Sequence, residues 1–102
     1  MSQAPIGAIM IIQATITDPD RFVEYAKRTP ALVTKYGGRY IAMRSELEVL
    51  EGEPDARATV LSAWPSMAAA REFWHSADYA AVKPYRDDAA DVQVTLVECN
   101  GE

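Results

Sequence analysis

At 102 residues, with 49% hydrophobic and 25% charged side chains, the chain reads as a single globular domain over 1–102 with too much apolar content for disorder. Its net charge of −5 and scattered Lys and Arg argue against nucleic acid, whose phosphates need clustered cations. The lone Cys99 permits no intrachain disulfide, so the expected setting is a reducing cytoplasm.

The apolar run Ile6–Ile12 has no basic region ahead of it and is too short for a bilayer, which predicts a buried strand rather than a signal or anchor, and no membrane partner. Alternation over Ala8–Ile16 sets Ala8, Met10, Ile12, Ala14 and Ile16 on one face, with Ile9, Ile11, Gln13 and Thr15 on the other. Asp18 and Pro19 open a helix as cap and first residue. Phe22, Tyr25, Ala26, Thr29, Leu32, Val33 and Tyr36 form its buried stripe. Pro30 predicts a kink or split, with Thr29 capping the second piece, and Gly37 a left-handed stop.

A second strand follows at Arg39–Met43, and Glu46–Leu50 either continues it or forms a short hairpin arm before the turn Gly52-Glu53-Pro54-Asp55. The acids Glu46, Glu48, Glu51, Glu53 and Asp55 read as a solvated hairpin and turn. Thr59–Trp64 is a third strand. Ser66 caps a helix whose inward residues are Met67, Ala70, Phe73, Trp74 and Ala77. Ser76 caps a second piece carrying Tyr79, Val82 and Tyr85, shortened by Pro84. Val92–Glu98 closes the sheet, with Val92, Val94 and Leu96 on one face and Gln93, Thr95 and Val97 on the other.

Two tandem strand–helix–strand units predict an α+β, ferredoxin-like βαββαβ fold, with a four-stranded antiparallel sheet and helices on one face. The other face would leave roughly 400 Å² of apolar surface, by strand spacing and length, which predicts a homodimer closed face to face into a barrel. Its lumen would be lined by Ile9, Ile11, Leu61 and Val97, with Gln13, Thr15, Gln93 and Thr95 as polar ligand-binding candidates. A one-residue register slip would exchange the two faces, and the polar residues fit a plain interface equally well.

Asp18-Pro19, Tyr36-Gly37-Gly38-Arg39-Tyr40, Glu48-Val49-Leu50-Glu51-Gly52, and Trp64-Pro65-Ser66 leading to Ser76-Ala77-Asp78-Tyr79 resemble the bacterial family catalogued as domain of unknown function 1330. The resemblance covers nearly the whole chain. It implies a dimeric α/β barrel, in a superfamily that also holds cofactor-free quinol-type monooxygenases, isomerases, dehydrochlorinases and haem-handling enzymes; it implies no activity of its own. Where the family often carries Arg-Gly-Gly, this chain reads Met43-Arg44-Ser45, so Arg44 supplies a basic pocket group only through a shift of one residue.

His75, the only histidine, falls one position off its helix's apolar stripe and reads as a helix-end surface residue, with general base or proton shuttle as the catalytic alternative. It has no second His or Cys at ligand spacing, so no metal site is expected. Tyr79 and Arg86, seven residues apart, fall on one face if their helix is continuous, and could hold a carboxylate or phenolate. Arg39 is a further anion anchor, and salt bridges to nearby acids are the plainer reading of all three arginines. Cys99 reads as a small hydrophobe. Three classes remain. They are a cofactor-free enzyme of monooxygenase, isomerase or lyase type on a small aromatic or acidic substrate, a ligand-binding module without chemistry, and a structural or stress-associated dimer.

Overall fold

The structure, a computed structural model, describes residues 5–45, 47–55 and 57–99. The Arg44 and Ser45 side chains and Glu46 lie outside what it describes, so the expectations placed on Arg44 and Glu46 are not addressed. The chain runs β1 (Ala8–Ile16), α1 (Pro19–Lys35), β2 (Arg39–Ser45), β3 (Ala58–Trp64), α2 (Met67–Trp74), α3 (Ala77–Val82), α4 (Pro84–Asp87) and β4 (Ala90–Glu98). The strands form one four-stranded sheet in the order β2-β3-β1-β4, and every neighbouring pair is antiparallel. This is the expected ferredoxin-like α+β fold.

Local chemistry sets the boundaries. Asp18 Oδ1 accepts from the Arg21 amide at 3.1 Å, with Pro19 at the first helical turn. At the other end of α1, Gly38 N–H donates to Val33 O and Gly37 N–H to Thr34 O, at 2.8 and 3.1 Å. This crossed pair needs a left-handed residue, which Gly37 supplies at φ +92. The Ser66 and Ser76 hydroxyls cap α2 and α3, accepting from the Ala69 and Tyr79 amides at 3.0 Å each.

Several local expectations are corrected. Pro30 does not split α1, which runs unbroken past it. Proline's missing amide deprives the carbonyl four residues back, at Ala26, an exposed position where water can replace it. Thr29 is no cap; its hydroxyl donates to the Tyr25 carbonyl at 2.7 Å. β2 stops at Ser45, and residues 47–50 continue no strand, so their Leu47, Val49 and Leu50 stand exposed. Ala77, expected inward, is exposed because α2 ends at Trp74 and Ala77 opens a separate helix; Tyr85, expected on one side with Tyr79 and Val82, is exposed on α4, a further piece begun at Pro84.

The core lies between the sheet and the helices. Ala8, Met10 and Trp64 of the sheet meet Val33, Ala70, Phe73, Tyr79 and Val82 of the helices. Met10 pairs with Ser62 and Leu96 in register, and Ile12 with Val60 and Val94, so this row of β1 residues faces α1 and α2. The opposite face carries Ile9, Ile11, Gln13 and Thr15, the faces that alternation predicts.

Candidate functional site

A cavity of about 220 Å³ opens between α1 and the sheet rather than on the open sheet face. The sheet wall is built by Met10, Ile12, Tyr40, Met43, Val60, Ser62 and Trp64, and the helix wall by residues of α1 with Phe73, Trp74 and Tyr79. Edge strand β2 reaches it through an irregularity. Tyr40 pairs with Ser62 but Ala42 pairs with Leu61, so one extra residue sits in β2. That shift brings Met43 onto the same face as Tyr40, which plain alternation would forbid. Engineered apolar cavities of about 150 Å³ hold benzene, so this space suits one substituted ring.

Aromatic rings crowd its inner end. Phe73 lies 5.0 Å from Trp64 and 4.8 Å from Tyr79, centroid to centroid, and Trp74 lies 4.9 Å from Tyr79. Into this apolar shell the fold sets one polar chain. Tyr25 Oη and Tyr79 Oη are 2.8 Å apart, and Arg86 Nε donates to Tyr79 Oη at 3.3 Å. Three helices supply it. Tyr25 stands mid-way along α1, Ser76 fixes Tyr79 in the first turn of α3, and Lys83 in αR conformation leads into α4 and Arg86. The helix between Tyr79 and Arg86 is thus not continuous, yet the two side chains meet.

Arg86 is 8% exposed, and among the described residues no carboxylate pairs with it. Its guanidinium lies instead 5.7 Å from the Tyr25 ring and 5.9 Å from the Trp74 ring. Burial opposes its charge, but the hydrogen bond to Tyr79 and the nearby phenols outweigh that and raise its pKa, so it stays cationic. Burial, with the neighbouring Tyr79, pushes the Tyr25 hydroxyl far above the ordinary phenol value. Tyr40 is pushed up to about 12 by burial first and Tyr79 second. Buried phenols therefore keep their protons and act as donors. A buried cation that no described carboxylate pairs, set behind hydroxyls at a cavity wall, can hold a negatively charged oxygen.

The other sequence candidates lie elsewhere. Gln13, Thr15, Gln93 and Thr95 sit on the open sheet face, where Gln13 faces Gln93 in register and its Nε2 donates to Asp55 Oδ2 at 3.4 Å. Asp55 is itself held near a pKa of about 2 by the Arg57 side chain and amide. Arg39 pairs with Ala63 on that face, away from the cavity. His75 is the exposed C-cap of α2 and does not line the cavity. Cys99 is half-buried past β4, its amide donating to Gly7 O at 2.9 Å. Sequence reasoning missed Tyr25 and Ser62 as site residues. The available signal was a tyrosine in an otherwise apolar helical stripe, since its buried hydroxyl has to find a partner. Among the described residues no group of three or more His, Cys, Asp or Glu could hold a metal ion. No described helix is long and apolar enough to cross a membrane.

Sheet order and register define a ferredoxin-like α+β protein with an aromatic-walled cavity between its helices and its sheet. The chain belongs to the family described as domain of unknown function (DUF1330), which it matches over residues 7–100. No curated protein matches its sequence. Its backbone is similar to that of RPA0582, a protein of unknown function from Rhodopseudomonas palustris, at TM-score 0.66 and 18% identity, covering 91% of this chain and 82% of that one. It is similar to SnoaB, a cofactor-independent oxygenase from Streptomyces nogalater, at TM-score 0.65 and 14% identity over 95% and 96% of the two chains. A Caulobacter crescentus CB15 protein, provisionally assigned as an antibiotic biosynthesis monooxygenase, gives 0.59 and 17% over 94% and 92%. At these identities the likeness is one of fold.

Proposed function

We propose that this protein binds a small aromatic acid or phenol in the cavity between α1 and the sheet, and stabilises negative charge on its oxygen. The observation that carries this reading is the buried chain Tyr25–Tyr79–Arg86, whose two tyrosines line the cavity while Arg86 stands behind Tyr79. The ligand oxygen accepts from the tyrosine pair while Arg86, which no described carboxylate pairs, supplies the countercharge from behind Tyr79. As an enzyme, the protein would be a cofactor-free oxygenase, isomerase or lyase, working by holding a phenolate or enolate form of its substrate in a dry aromatic site. The fold of SnoaB supports that class by analogy alone. We also place the chain in a homodimer through the open sheet face, where Ile9, Ile11, Leu61 and Val97 have no covering helix.

A second reading, capture without chemistry, draws support from one feature. None of the described cavity-lining residues is a carboxylate, histidine, lysine or cysteine, so the wall offers no ordinary proton acceptor.

A thermal-shift screen with benzoates, phenols and hydroquinones tests the binding, and oxygen uptake with product analysis separates turnover from capture. A ligand at about a hundred times its dissociation constant adds nearly 3 kcal/mol of stability. The variant Arg86→Met removes a buried charge that no described carboxylate pairs, so it keeps the fold's thermal midpoint while weakening a benzoate by about 10- to 100-fold, the worth of a charge-assisted hydrogen bond. Equal benzoate binding by wild type and Arg86→Met would remove the anion-site reading.

A further inference from the structure

We propose that Ser62 is the cavity's second anchor, a fixed hydroxyl donor that selects ligands carrying a neutral oxygen acceptor across the ring from their charged oxygen. This rests on the anion-binding reading above and adds the class of ligand. Ser62 is 1% exposed and stands on the sheet wall of the cavity, in β3, where its register partners are Met10 and Tyr40. A strand position facing the core favours an apolar or β-branched side chain, and a hydroxyl placed there costs free energy unless paired. Only half of this one is paired. Trp64 Nε1 donates to Ser62 Oγ at 3.0 Å. An indole N–H cannot accept, so the serine hydrogen must point elsewhere, and no described residue accepts it.

The direction left open is the cavity that Ser62 lines. The tyrosine pair stands on the facing wall, contributed by α1 and α3. A ring lying between the two walls therefore meets an anion site on the helix side and a neutral donor on the sheet side. Monosubstituted rings fill only the first. Para-substituted benzoates with a carbonyl or hydroxyl oxygen fill both.

Two ligands differing in one atom group test this in the unaltered protein. 4-Acetylbenzoate and 4-isopropenylbenzoate share their carboxylate and shape, and differ only in C=O against C=CH₂. Calorimetry should give the acetyl compound about 5- to 10-fold tighter binding, the worth of one buried hydrogen bond. In Ser62→Ala that order should vanish or invert, because the acetyl oxygen is then buried without a donor. Ser62→Ala also strips the Trp64 N–H of its acceptor, so Ser62→Cys, a weak donor of similar size, serves as a second variant and should reduce the preference. Equal binding of the two ligands by wild type, or a preference retained in both variants, overturns the role of Ser62 and leaves the anion site standing. Failure of plain benzoate to bind at all removes the anion site, and this proposal with it.

Discussion

Thr59 Oγ1 is buried and has no hydrogen-bond partner among the described residues. A desolvated hydroxyl of that kind works against the fold, so the near-isosteric Thr59→Val should stabilise by about 1 kcal/mol and raise the thermal midpoint by roughly 4–8 °C. A midpoint at or below wild type would mean the hydroxyl is paired after all. The tyrosines give a second test at this scale. Tyr25 and Tyr40 both have folded pKa values above the unfolded phenol value near 10, Tyr40 at about 12. Their contribution to stability is therefore complete below about pH 10 and is lost as pH rises toward the folded values, because only the unfolded chain releases those protons. Thermal midpoints should fall from pH 10 to 12, less steeply in Tyr25→Phe, and phenolate absorbance should show delayed ionisation. A flat profile across that range would contradict the burial of both hydroxyls.

Among the elements, the α1–β2 connection bears most directly on the site. Gly37 ends the helix, and Gly38 lets the chain cross the face of Trp64, where an added Cβ would come within 2.8 Å of the indole ring. Gly38→Ala must push Trp64 out of a packed position, so it should cost about 1–3 kcal/mol and alter the near-ultraviolet circular dichroism from the tryptophans. Unchanged stability would show that the ring has room to move. The same indole bonds Ser62 and packs on Phe73, so the loop's two glycines and the cavity's sheet wall form one mechanical unit. On the far side, α3 is tied to α1 by Asp78, which accepts from Lys35 Nζ at 2.6 Å and Tyr36 Oη at 3.1 Å. These bonds hold the Asp78 carboxyl below its usual range. They draw together the two helices that carry Tyr79 and Tyr25.

For the whole molecule, the division of labour lies between the two faces of the sheet. One is covered by helices and encloses the cavity; the other presents Ile11 between Leu61 and Thr95 with no helix over it. Ile11→Glu would set a charge at the centre of the proposed dimer face, which a paired state cannot solvate. Sedimentation should show wild type as a dimer at micromolar concentration and Ile11→Glu as a folded monomer. A monomeric wild type would end the dimer proposal without touching the cavity.

Alternation, caps and helix stops are local rules, and they made most of this fold legible. Asp18, Ser66 and Ser76 cap where short polar side chains before apolar stripes should, and β1 turns the predicted faces to helix and solvent. Tyr79 does meet Arg86, but across the break between α3 and α4 rather than along the continuous helix that their spacing assumed. Local rules failed at Pro30, where tertiary packing of one helical face outweighed a single missing hydrogen bond. The cavity was beyond them altogether. Its walls are residues far apart in sequence, joined by a shift of register in β2 and by a hydrogen bond between α1 and α3. The sequence by itself determined the elements, their order and their apolar faces, because these depend on neighbours within a turn or a strand pair. Only the tertiary structure decided which face holds an enclosed space, and which hydroxyls line it, because that depends on how imperfectly two packed layers fill the volume between them.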